Sequence, residues 1–170
     1  MKIETMDDLF LGQIEDLYDA EKRLVKALPK MAKASASDKL RMALDSHLEE
    51  TKGHVERLEQ IFNEIGKKPK AKTCAAMKGL VEEGDEIVGE IDQSPLRDAG
   101  IISAGNRVEH YEIAAYGTAR TFAQILGLNQ AVSLLEKTLE EEKKADMKLT
   151  KLAEGLINEE ALRGSAVSQR

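Results

Sequence analysis

Four long amphipathic stretches of this 170-residue chain carry ionisable side chains in the very stripe that should be buried. The first apolar run reads Ile14, Leu17, Glu21, Leu24, Leu28, Met31, and the second Leu40, Leu44, His47, Glu50, His54, Leu58, Ile61. The third reads Ile102, Gly105, Glu109, Glu112, Tyr116, and the fourth Leu135, Leu139, Glu142, Asp146, Leu149, Leu156. Residues three and four apart share one helix face, so each stripe is apolar at its ends and ionisable in its middle. A buried carboxylate costs several kcal/mol unless something compensates its charge. Four stripes with the same defect point to one shared compensator, and divalent cations are the simplest.

The rest of the composition agrees with a helical chain. Charged residues make up 33% and aromatics 4%, with no Trp and 3 Pro, a balance that favours an all-α fold. The lone Cys74 cannot form an internal disulfide, and no Cys or Cys/His tetrad exists for structural zinc or an iron-sulfur centre. The opening Met1 to Phe10 mixes Lys2, Glu4, Asp7 and Asp8 with short apolar pieces, unlike a signal or transit peptide. No apolar run approaches the roughly 20 residues of a membrane span. The sequence therefore predicts a soluble, cytoplasmic protein without membrane contact. A net charge of -6 argues against nucleic-acid binding, and the run Lys67, Lys68, Lys70, Lys72 reads as a solvated linker.

Punctuation along the chain defines the elements. Thr5 caps a first helix that runs to about Lys33, with Asp7 and Asp8 in its positive first turn and Pro29 bending its end. Ser37 or Asp38 opens a second helix that ends at Gly66. From Gly66 to Pro95 a connection holds a weaker helix, about Thr73 to Ile91. Ser94 and Pro95 start a third long helix that ends near Gly127, and Asn129 caps a fourth that reaches about Asn158. Two hairpins joined by so long a connection make a ferritin-like four-helix bundle with one crossover containing a short fifth helix. A crossover helix of ~18 residues covers ~27 Å, most of the bundle's length. The bundle is expected over residues 1–160, with 161–170 a flexible tail that begins to fray near Glu159.

The polar positions then meet. Glu21 and Glu50 each lie about 15 residues from the first hairpin's tip, and Glu112 and the Glu142–Asp146 pair about 16 from the second, so both sets sit roughly 22 to 24 Å from their tips. Carboxylates with one imidazole, His54, suit iron or manganese better than a thiolate-preferring metal. The competing reading is a polar network closed by Arg107, Arg120 and Lys143. His47 has no matched partner at Leu139 and is expected to orient or pack rather than coordinate. Gly53, Gly105 and Gly117 mark close approach of a neighbouring helix or a second subunit.

This spacing resembles the di-metal carboxylate proteins of the ferritin and rubrerythrin class. The segments "DLYDAEKRLVKALPKM" and "HLEETKGHVERL" resemble the YciE/YciF group of ferritin-like bacterial proteins, and the likeness covers about Met6 to Leu156. It implies a bacterial stress-response protein with two iron ions, alternatively manganese. By that resemblance Glu21 is the first-helix ligand, and Glu50 with His54 is the second-helix pair. Glu109 with Glu112 resembles the rubrerythrin-like Glu-x-x-Glu, and Glu142 matches the fourth-helix ligand; by position Glu50 and Glu142 would bridge, with Glu21, Glu109 or Glu112, His54 and Asp146 terminal. Glu50 and His54 are four apart where the class has Glu-x-x-His, and Asp146 stands where a second His is common. Six carboxylates and one imidazole are formally -2 around two divalent ions and neutral around two trivalent ones, which favours the oxidised state. The implied reaction is with dioxygen or hydrogen peroxide. Without a rubredoxin-like four-cysteine module, electrons would come from an external donor.

Two other readings stay open: a structural or interaction protein that keeps the bundle without a working centre, and iron storage in a cage. Gly105, Ala114, Ala115 and Gly117 suggest a close helix contact between two copies, hence a homodimer, or else a face turned to the crossover. Light scattering on the purified chain is expected to give a mass near that of two chains; about six or more subunits would indicate a storage cage instead.

Overall fold

The first four helices each begin where a side chain can take up a free N–H group. The computed structural model describes residues 2–167, with side chains to residue 164, and contains no strand among them. Helix α1 (Met6–Ala34) starts on Thr5, whose Oγ1 accepts from the Asp8 N–H while the Asp8 carboxylate accepts from the Thr5 N–H. Ser37 caps α2 (Asp38–Glu64), the Cys74 sulfur caps α3 (Ala75–Glu90), and Ser94 caps α4 (Pro95–Ile125) with Pro95 in its first turn. Helix α5 (Asn129–Leu152) differs. Asn129, expected as its cap, is its first helical residue, and Leu128 before it offers no capping bond. Gly127 makes the turn from α4 to α5 with φ +74, a conformation that favours glycine.

The chain does not fray at Glu159. Residues Ala153–Ile157 form one π turn, in which the Asn158 N–H reaches the Ala153 carbonyl, and α6 (Asn158–Val167) continues the rod. The wider turn rotates the inward position by one residue. Ile157 is 1% exposed, whereas Leu156, which the fourth stripe places inside, is 40% exposed. Helix α6 packs on α4 and buries Ala161, which gives the expected tail a surface to fold against. Its last positions, 168–170, lie outside the described residues.

Helices α1 and α2 pack as one hairpin and α4 and α5 as another, α2 lies on α5, and α1 lies on α4. Helix α3 rests on α1 and α4. The fold is thus an all-α ferritin-like four-helix bundle with one long crossover holding a fifth helix. Backbone N–H groups fasten the crossover, Lys72 to the Glu15 carbonyl at 3.0 Å and Cys74 to Asp19 Oδ2 at 2.8 Å. The apolar core falls into two clusters. One surrounds the α1–α2 tip and includes Leu28, Leu40, Ile101 and Leu149. The other surrounds the α4–α5 tip and includes Phe10, Phe62, Ala123 and Leu135. The ionisable residues occupy the level between them.

Asp98 joins the two hairpins. It is 1% exposed, and its two oxygens accept the N–H groups of Ala36 and Ser37, each at 2.8 Å, which holds the start of α4 against the α1–α2 tip. Hydrogen bonds to a charged acceptor contribute about 1.5–3 kcal/mol each. Asp98→Ala is therefore expected to lower the unfolding free energy in urea by about 3 kcal/mol, with Asp98→Asn recovering part of that loss.

Candidate metal centre

Six ionisable side chains meet at mid-bundle: Glu21 from α1, His47 and His54 from α2, Glu109 and Glu112 from α4, and Glu142 from α5. None is more than 6% exposed. They form two groups. Donor atoms of His47, Glu109, Glu112 and Glu142 lie within 4.8 Å of one another, and so do those of Glu21, His54 and Glu142. Glu142 belongs to both. Its Oε1 is 2.9 Å from His54 Nδ1, and its Oε2 is 3.6 Å from His47 Nε2. Glu21 Oε1 is 3.3 Å from His54 Nδ1, and Glu109 Oε1 is 3.3 Å from His47 Nε2.

Each imidazole is steered by a carboxylate on its outer side. Nδ1 of His47 donates to Glu50 Oε2 at 3.2 Å, and Nε2 of His54 donates to Glu141 Oε2 at 3.0 Å. Arg57 grips both oxygens of Glu141, at 2.6 and 3.0 Å, and also donates to Thr138 at 2.9 Å. A neutral imidazole that donates outward through one nitrogen presents a lone pair inward at the other, and histidines that bind metals are oriented in this way. On the opposite side the Tyr116 hydroxyl donates to Glu21 Oε1.

What lies between these groups is unsatisfied. Glu21 Oε2, His47 Nε2, His54 Nδ1, Glu109 Oε2, and both oxygens of Glu112 and Glu142 are buried without a properly directed hydrogen bond. Protein cations do not fill the gap: Arg107 pairs with Glu83, Arg120 with Glu136, and Lys143 with Glu140. The polar-network reading built on those three residues is therefore not what the structure shows. Without metal, protons must carry the compensation. Burial, joined by the Glu142 charge, holds the Glu109 and Glu112 carboxyls well above the usual carboxylate range. Burial alone would lower His54, but Glu142 and Glu21 outweigh it and push it up to about 11. Burial also raises Glu21 and, with Glu21 beside it, the Tyr116 hydroxyl. The hydrogen bond from His47 holds Glu50 below its usual value.

Of the residues expected from sequence, the structure brings together Glu21, His54, Glu109, Glu112 and Glu142, adds His47, and leaves out Glu50 and Asp146. Both omissions have one cause. The inward line of α2 runs His47, Thr51, His54, with Thr51 fully buried, so Glu50 is turned about 100° away and its side chain is 45% exposed. On α5 the line runs Glu142, Ala145, Leu149, and Asp146 instead accepts from Asn106 Nδ2 at 2.7 Å and faces His110 Nε2 at 3.3 Å. His47, expected to orient or pack, lies among these donor atoms. The signal was present in the sequence, since His47 and His54 are seven apart and therefore share one face. The donor set becomes four carboxylates and two imidazoles, which is formally neutral around two divalent ions.

This donor set is the inventory of ferritin-like di-metal proteins, distributed differently over the helices. Comparison with known proteins agrees in fold and in sequence. Residues 5–162 match the family described as a domain of unknown function, DUF892. The chain is 46% identical over 162 residues to Protein YciF of Escherichia coli strain K12, across 95% of this chain and 98% of that protein. The crystal structure of the E. coli stress protein YciF superposes with a TM-score of 0.88 at 45% identity, covering 92% of this chain and 99% of that one. YcfI of Rhodopseudomonas palustris, for which a structural role has been suggested, gives 0.85 at 45% identity, covering 88% and 95%.

Glu112 tests the unsatisfied cluster directly, because both of its oxygens lack a partner. In metal-free protein Glu112→Leu is expected to raise the unfolding free energy by about 1–3 kcal/mol in chemical denaturation, since an apolar side chain of similar size removes an uncompensated polar group.

Proposed function

We propose that this chain, which belongs to the DUF892 family, is a stress-response protein that binds two divalent first-row cations, iron or manganese, at the centre of its bundle. One observation carries the reading: eight inward donor atoms on Glu21, His47, His54, Glu109, Glu112 and Glu142 are buried together without hydrogen-bond partners. Carboxylate oxygens with two imidazole nitrogens suit hard to borderline ions, and Cys74, the one thiol, is engaged elsewhere with Tyr111 at 3.0 Å. His47, Glu109 and Glu112 would hold one ion, Glu21 and His54 the other, and Glu142 would serve both.

Bound iron would supply one-electron redox chemistry toward dioxygen or hydrogen peroxide, with electrons from an external donor. The chain's own contribution is positional. Glu50 and the Arg57–Glu141 pair fix the two imidazole rings, and Tyr116 fixes Glu21. The suggested structural role of the Rhodopseudomonas relative favours the second reading, a stress protein whose bundle acts without a metal centre.

Metal analysis after anaerobic loading with Fe(II) or Mn(II) separates the two. About two ions per chain are expected, and below about 0.2 per chain under both aerobic and anaerobic loading the structural reading stands. His47→Ala is expected to lose one equivalent and Glu142→Ala most of both. Glu50→Ala should keep the capacity of two while lowering affinity about 10–100-fold, as loss of an orienting carboxylate does. Saturation at about 1,000 times the dissociation constant should stabilise the wild-type fold by about 4 kcal/mol in thermal unfolding.

A further inference from the structure

One side of the centre is open where the other is packed. A cavity of about 110 Å³ runs beneath the crossover helix, walled by Leu28, Met31, Leu44, Val81, Ile101 and Leu149. The buried His47 and Glu109 also line it, as do Glu50, Lys144 and Lys148, all three exposed. Glu21 and His54 do not line it. Their half of the centre is closed by Tyr116, Leu17 and Leu58, each at most 1% exposed.

Close-packed interiors leave few voids larger than a water molecule. An apolar cavity of about 150 Å³ in another protein stays dry and admits benzene. A space of about 110 Å³ with these walls is therefore suited to an uncharged molecule of about six heavy atoms. Water would find few hydrogen-bond partners along its length. An anion would meet the exposed Glu50 carboxylate and lose its hydration among apolar walls, while the ammonium groups of Lys144 and Lys148 can stay in solvent. Ala43 and Gly84 also line the space, and a methyl group built on Gly84 would lie 3.0 Å from Met31 Cε, so small residues leave the volume free.

We propose that this cavity is a binding site for a small, uncharged, apolar molecule, held against the His47–Glu109 side of the centre. Its position beside a cation rests on the two-cation reading; the cavity itself does not.

Benzene, titrated into the metal-free chain and followed by heteronuclear NMR, tests the cavity. Saturable binding is expected, with shifts confined to the lining residues. Two independent filling variants, Ala43→Leu on α2 and Val81→Phe on the crossover, should each weaken it at least tenfold. No binding, binding unchanged in both variants, or tighter binding of hexanoate than of benzene would overturn the proposal. Co(II) then tests the juxtaposition. In Co(II)-loaded chain, saturating benzene should shift the visible absorption bands, and Ala43→Leu should abolish the shift. If Co(II) loads and its spectrum does not respond to bound benzene, the placement beside the centre is wrong. If Co(II) does not load, the two-cation reading fails, and the benzene titration still decides the cavity.

Discussion

Everything at the middle of this bundle depends on how the charge of four buried carboxylates is balanced. Glu21, Glu109, Glu112 and Glu142 sit between two apolar clusters and beyond the reach of any Arg or Lys among the described residues that pairs elsewhere in the bundle. Among the described residues, two imidazoles are the only basic groups that pair with them. In metal-free protein the balance falls to protons, which is why burial raises Glu109 and Glu112 and why the carboxylates raise His54. Such an arrangement lowers fold stability, and helices evolved for packing alone would place Leu or Ala at these positions.

The rest of the molecule reads as support for that centre. Capping at Thr5, Ser37, Cys74 and Ser94 fixes where α1, α2, α3 and α4 begin, and therefore which of their residues share one depth. Asp98 locks one hairpin's tip to the other hairpin's first turn, so the two halves cannot slide along each other without leaving Ala36 and Ser37 unpaired. Around the imidazoles, Glu50, Glu141 and Arg57 set ring orientation from outside. These are long-range consequences of short-range chemistry.

Much of this was legible from residue order. Hairpin lengths and cap residues gave the bundle and its crossover, and depth counting gave the level at which the acids meet. The errors were rotational. A stripe read as three-then-four or four-then-three differs by 100° at one position, which exchanged Thr51 for Glu50 and Ala145 for Asp146. Both spacings fit a helix, and nothing in the side chains of Thr51 and Ala145 marks them as the inward pair. The π turn at Ala153–Ile157 was beyond reach, since no cap, proline or change of pattern announces it, and only packing on α4 decides that Ile157 rather than Leu156 turns inward. At Gly105 the neighbouring-helix alternative holds, since a methyl group there would lie 2.9 Å from Leu149 Cδ1 on α5, while one on Gly117 would meet nothing within 4 Å.

Glu142 has a further consequence. Because its two oxygens face different imidazoles, the rotation of a single carboxylate plane is common to both halves of the centre. In the two-cation protein proposed above, an ion seated at one oxygen would fix that plane and present the other, already oriented, to the second position. The two halves would then be thermodynamically linked through one torsion angle, and by reciprocity a perturbation that loosens the grip on one side would be felt equally on the other.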